Sequence, residues 1–113
     1  MANVVFLVGR LGQDPEIKYF ESGSVKARFS VAVDRNLSKE NRITDWFNVE
    51  TWGRNAEIVG EWIKKGQLVS ISGQMEIQRW TDQGGNPREY PMIRANEIRM
   101  EGGRRENAAA MAG

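Results

Sequence analysis

Neither cysteine nor histidine occurs among the 113 residues. Without thiols there can be no disulfide, no thiol nucleophile and no cysteine-ligated zinc. Without imidazole the chain lacks the commonest general base and the commonest metal ligand. Charge of one sign is lacking too: 16 Lys and Arg stand against 15 Asp and Glu, a net of +1. That balance argues against a polybasic arm, an acidic tail protein or a disordered chain. Long apolar runs are absent. The longest, Val4 to Val8, is far below the roughly 20 residues of a membrane-spanning helix. Met1-Ala2-Asn3 offers no basic region, and no small-residue cleavage site follows, so a cytoplasmic protein with no membrane partner is expected. The carboxylates Asp34, Asp45 and Glu50 are not fixed as a pair, no Gly-rich phosphate loop opens a helix, and no oxygen-ligand spacing suggests a metal. Neither catalysis nor a cofactor is expected.

What is present suits one small domain, with 40% of the residues hydrophobic. Asn3 to Arg10 reads as a strand with two apolar faces, Val4, Phe6 and Val8 against Val5 and Leu7. Both faces then need cover, and a second subunit is the expected cover for part of them. A charge at Val5 or Leu7 is accordingly expected to break the assembly or unfold the chain. After a turn at Leu11 to Glu16, Ile17 to Phe20 is a short extended piece, and Glu21 to Ser24 is another turn. Val25 to Arg35 alternates with period two, placing Val25, Ala27, Phe29, Val31 and Val33 inward and Lys26, Arg28, Ser30 and Asp34 outward. Asn36 to Arg42 is a polar loop, and Thr44 to Gly53 is a third strand. Arg54 to Lys65 reads as a helix with Asn55 as N-cap, Gly66 beyond its end and Ile58, Val59, Trp62 and Ile63 as its apolar stripe. Gln67 to Trp80 is a strand broken by a bulge or bend at Gly73. Thr81 to Pro87 is a hairpin loop, and Arg88 to Met100 is the last strand. A domain over residues 1–101 and a flexible tail over 102–113 are expected. Five strands with one helix between the third and fourth predict an all-β, five-stranded Greek-key barrel, the OB-fold. An SH3-like barrel or a small sandwich also has this strand count, but the helix position favours OB.

The tryptophans divide into two classes. Trp62, on the helical stripe, reads as core. Trp46 and Trp52 alternate with Asn48 and Glu50, opposite Phe47 and Val49, so a slip that buried them would bury Asn48 and Glu50 instead. Trp80 ends a polar face running through Gln78, Glu76, Gln74, Ser72 and Ser70. Large aromatics on polar strand faces suit the stacking of unpaired bases, with a subunit interface or a loop-covered patch as the alternatives. Lys26, Arg28, Arg54, Arg79 and Arg88 are the nearby cations. Arginine outnumbers lysine eleven to five, which suits stacking and bidentate phosphate contacts. Glu50 and Glu76 share the same faces, and a duplex binder relying on phosphates would be more basic.

The segments LVGRLGQDPE (7–16), DWFNVETWGRNAE (45–57), KKGQLVSISGQ (64–74) and RWTDQGGNPRE (79–89) resemble the bacterial single-stranded DNA-binding protein family. The resemblance runs from about Asn3 to Met100. It implies an OB-fold homotetramer around which single-stranded DNA wraps, protecting exposed strands in replication, recombination and repair. It further implies that Trp46, Trp52 and Trp80 stack bases, that Arg54, Lys65, Arg79 and Arg88 contact the backbone, and that Trp62 packs inside. Trp52 stands where some members have phenylalanine, and Leu37 where some have another tryptophan. Glu76 and Gln78 replace the usual basic residues, which implies a less electrostatic surface. The family's acidic, hydrophobic-ended docking tip has no counterpart in EGGRRENAAAMAG (101–113), so recruitment of replication and repair proteins through the C-terminus is not expected. A related OB-fold accessory factor, such as a primosomal protein contacting mainly other proteins, is the alternative. An OB-fold module for RNA or oligosaccharide is a third.

Overall fold

The computed structural model describes residues 1–36 and 38–101. The expectations for Leu37 and for the tail 102–113 lie outside them. Six strands and one helix follow in the order β1 (Val5–Leu11), β2 (Glu16–Tyr19), β3 (Val25–Asn36), β4 (Arg42–Trp52), α1 (Arg54–Trp62), β5 (Leu68–Thr81) and β6 (Pro87–Met100). The sheet runs β1-β5-β6-β4-β3-β2, and β1 also pairs with β3. That last pairing closes β1, β3, β4, β6 and β5 into a five-stranded barrel, with β2 added outside β3. The architecture is the OB-fold. The helix falls at the expected place in the chain, and it separates β4 from β5 because the short piece before β3 is itself a strand.

The barrel closes through two residue pairs, Arg10 with Ala32 and Leu11 with Val31. So close an approach of β1 to β3 requires Gly9, where a Cβ would collide with the carbonyl oxygen of Ala32 and sit 2.8 Å from Val31 Cγ1. At the expected Gly73 bend the β5–β6 register shifts between Ser72 and Gly73. A Cβ on Gly73 would strike the Arg94 carbonyl, so the bulge tolerates no side chain there. Alternation in β3 places Val25, Ala27, Phe29 and Val31 in the core, where they meet Val49, Val69, Ile71 and Ile93. Beneath the barrel, Val59, Ala56 and Ile63 extend the same apolar cluster.

The helix departs from the sequence reading at both ends. Its N-cap is Gly53, at φ 66°, with no side-chain cap. The chain must reverse sharply after β4, and only glycine takes that φ without strain. Asn55 instead donates from its side chain to the Asn96 carbonyl at 2.9 Å. The last helical residue is Trp62, and Ile63 is already extended. Lys64 nonetheless satisfies a freed helix carbonyl, donating from Nζ to Gly60 O at 3.2 Å.

The faces of β1 are also corrected. Val5 and Leu7 pack against the core cluster, whereas Val4, Phe6 and Val8 are the exposed set. Charges at Val5 or Leu7 therefore act on folding, and the face open to a second subunit is the other one. Among the described residues no helix is long and apolar enough to cross a membrane.

Candidate nucleic-acid interface

Antiparallel pairing carries the outward residues of β2, β3 and β4 into rows across the barrel wall. Trp52 lies opposite Lys26, and Lys26 opposite Lys18. The next row is Glu50, Arg28 and Glu16, followed by Asn48 with Ser30 and by Trp46 with Ala32. Residues opposite one another share a face, so Trp46 and Trp52 mark two ends of one polar surface, as their alternation with Asn48 and Glu50 requires. They are 58% and 36% exposed.

Trp52 does not stand alone. Its ring stacks on Phe20 with centroids 5.5 Å apart and planes 23° off parallel. The Lys26 ammonium lies 5.5 Å from the Trp52 centroid and 5.9 Å from that of Phe20, and Lys18 is 5.1 Å from the latter. The indole N–H donates to Glu50 at 3.3 Å. The indole is held flat, with one face against Phe20 and the lysine ammonium groups over the rings. Sequence reasoning missed Phe20, since the contact depends on how β2 docks on β3. Trp46 is pinned differently. Its six-membered ring lies against Gly12, where a Cβ would collide with it. Beside it a 170 Å³ pocket is lined by Phe47, Asn48, Met75, Pro91 and Ile93, an apolar recess large enough for part of a planar ring.

Trp80 stands near the tip of the β5–β6 hairpin, half exposed at 50%. Its cross-strand partner is Arg88, which shares its face. Arg79 pairs with Glu89 on the opposite face, so this cation does not join Trp80. The loop between them is stiff. Asp82 accepts from the backbone N–H groups of Gly84 and Asn86 at 3.0 and 2.9 Å and pairs with Arg88 at 2.9 Å. Those donors, the Asn86 amide first and Arg88 next, hold its carboxyl below the usual range. On the Trp80 face, Glu76 is tied to Arg94 at 3.4 Å.

The six expected phosphate contacts differ in availability. Arg54 pairs with Glu57 at 3.2 Å, Arg79 with Glu89 at 3.1 Å, and Arg88 with Asp82. Arg28 stands in register between Glu50 and Glu16, while Lys26 lies over the two rings. Lys65 follows α1, its backbone N–H donating to the Asp14 carboxylate at 2.8 Å. Near Lys65 lies Trp62, which is 36% exposed, as open as Trp52. The expectation that Trp62 is core is therefore overturned. Helical spacing identifies a stripe, but among the described residues no element covers its last member.

The barrel wall and the β5–β6 hairpin thus present three separated indoles, and carboxylates hold three of the six expected cations, an arrangement that holds planar rings more than it concentrates charge. Among the described residues no cluster of acidic groups suits a metal ion. A profile of the Single-strand binding protein family matches residues 2–101. The chain is 48% identical over 109 residues to single-stranded DNA-binding protein 1 of Synechocystis sp., spanning 96% of this chain and 90% of that one. Identity is 43% to single-stranded DNA-binding protein 1 of Nostoc sp., over 92% of this chain and 87% of that one. It is 40% to the single-stranded DNA-binding protein of Neisseria meningitidis, over 94% of this chain and 63% of that one.

Proposed function

Because this chain belongs to the single-strand binding protein family, it binds single-stranded DNA, and we propose that it does so by laying unpaired bases on Trp46, Trp52 and Trp80. One observation carries this reading: three indoles stand 36% to 58% open on outward strand faces, with the Trp52 ring stacked on Phe20 and the Trp46 ring packed on Gly12. Every base has a π-face, so such platforms bind without regard to sequence, each stacked base contributing about 1–3 kcal/mol. Phe20 stiffens the Trp52 platform. Lys26, Arg28, Arg54, Lys65 and Arg88 are the backbone contacts we propose. Arg79 is the weakest of the expected set, because it points away from Trp80.

The domain that binds is residues 1–101, and its work is coating exposed strands during replication, recombination and repair in the cytoplasm, without catalysis. It acts as a homotetramer. Supporting this, Val4, Phe6 and Val8 leave one face of β1 apolar and uncovered, and such a patch marks an interaction surface. Titration with poly(dT) followed by tryptophan emission tests the function. Strong, stoichiometric quenching is expected. Weak quenching in a protein that nonetheless binds poly(dT) would refute stacking as the mode.

A further inference from the structure

At the end of α1 a 370 Å³ cavity is lined by Arg10, Trp62, Lys64, Lys65, Gln67 and Glu101, among others. Three cations face a single carboxylate there, around an indole as open as that of Trp52. The rim is fixed by backbone bonds. Gly66 N–H donates to Leu11 O at 2.9 Å and Leu11 N–H to Gln67 O at 3.1 Å. The Arg10 guanidinium donates to Gly66 O at 3.0 Å, so the cation is already held at the mouth. Such preorganisation removes ordering cost from binding.

The cavity also continues the surface described above. Arg10 pairs with Ala32, and Ala32 with Trp46. The three share one outward row, with Arg10 about 10 Å from Trp46 at two strand spacings. Arg10 thus joins the Trp46 row to the cavity that Trp62 lines.

We propose that this cavity is a fourth nucleotide subsite, taking a base on the Trp62 indole and the adjoining phosphate on Arg10 and Lys65. It rests on the single-strand reading and extends the path round the end of the barrel. Single-stranded DNA fits better than an acidic peptide because the cavity offers an aromatic face as well as cations and is continuous with Trp46 through Arg10.

Photo-cross-linking of the intact protein to oligothymidylate carrying 5-iododeoxyuridine, with the cross-linked peptides mapped, tests this. A cross-linked peptide containing Trp62 is expected, and Arg10→Ala should lower its yield several-fold relative to the Trp80 peptide in the same sample. Cross-links confined to Trp46, Trp52 and Trp80 would overturn the subsite while leaving DNA binding intact. Protection of Trp62 from acrylamide quenching by an acidic peptide but not by poly(dT) would assign the cavity to a protein partner. Trp62 shielded from acrylamide in the DNA-free assembly would assign it to a subunit contact. Failure of labelled oligothymidylate to bind at all, read by anisotropy, would instead overturn the single-strand reading and the subsite with it.

Discussion

Salt dependence of binding separates stacking from charge, and the ion pairs on this surface set its expected size. Each phosphate neutralised on a single strand contributes about 0.7 to the slope of log affinity against log salt. If all six cations bound phosphates freely, the slope per protomer would be about 4. Arg54, Arg79 and Arg88 are each held by a carboxylate of the same chain. A phosphate that displaces such a carboxylate exchanges one ion pair for another and releases little net charge. Three cations remain, Lys26, Arg28 and Lys65, giving a slope of about 2. Raising salt tenfold should then weaken binding of an oligonucleotide short enough for one protomer about 100-fold rather than about 10,000-fold. Asp82→Asn releases Arg88 on the Trp80 face and should steepen the slope by about 0.7. Glu89→Gln releases Arg79 on the opposite face and should leave it unchanged. Fluorescence titrations over a salt series read all three proteins. A slope near 4 for the unmodified chain, or equal steepening by both variants, would show that surface carboxylates do not withhold these arginines and would refute the reasoning.

Other expectations follow from the same contacts. Trp52→Ala should weaken binding by about 1–3 kcal/mol. Phe20→Ala should weaken it less, through loss of an aromatic pair of about 0.5–1.5 kcal/mol, with calorimetric titration giving the order. Phe6→Glu should yield smaller but folded species by light scattering and circular dichroism, whereas Leu7→Glu should unfold the chain, because Leu7 packs on the core. Gly9→Ala forces a methyl into the β1–β3 contact and should cost about 1–3 kcal/mol in denaturant melts. The depressed carboxyl of Asp82 stabilises the hairpin above the usual carboxylate range and stops doing so as pH falls through its folded value. The stability gap between the unmodified chain and Asp82→Asn should therefore be full at neutral pH and shrink below about pH 4.

Much of this was legible because strands declare their faces locally. Period-two alternation placed the core residues of β3 and the outward faces of Trp46 and Trp52. Gly73 marked its bulge, and the hairpin loop fell where Gly84, Gly85 and Pro87 cluster. The same parity, applied to Arg79, already separates it from Trp80, since neighbours in a strand point to opposite sides. Less legible were features made by elements distant in sequence. Phe20 reaches Trp52 only because β2 docks beside β3. Trp62 sits on an apolar stripe, yet whether a stripe residue is covered depends on what lies beyond the helix end. The ion pairs of Arg88 and Arg79 depend on hairpin register, which turns on a loop whose carboxylate does double duty.

The β5–β6 hairpin outruns the barrel. Beyond the Met75–Ile93 pair, which β4 and the Asn3 side chain still hold, its strands pair only with each other among the described residues, and even Ile77, on its inward side, is open to solvent. A two-stranded ribbon twists and bends more readily than a closed barrel. Trp80 is thus carried on a cantilever, while Trp46 is bolted to the wall against Gly12. Purines and pyrimidines differ in width, and a strand of mixed bases presents an uneven profile to whatever grips it. If bases stack on these two rings as proposed, one anvil that stays put and one jaw that gives would let the protein close on any such profile, and indifference to sequence would then arise from mechanical compliance as well as from the breadth of the rings.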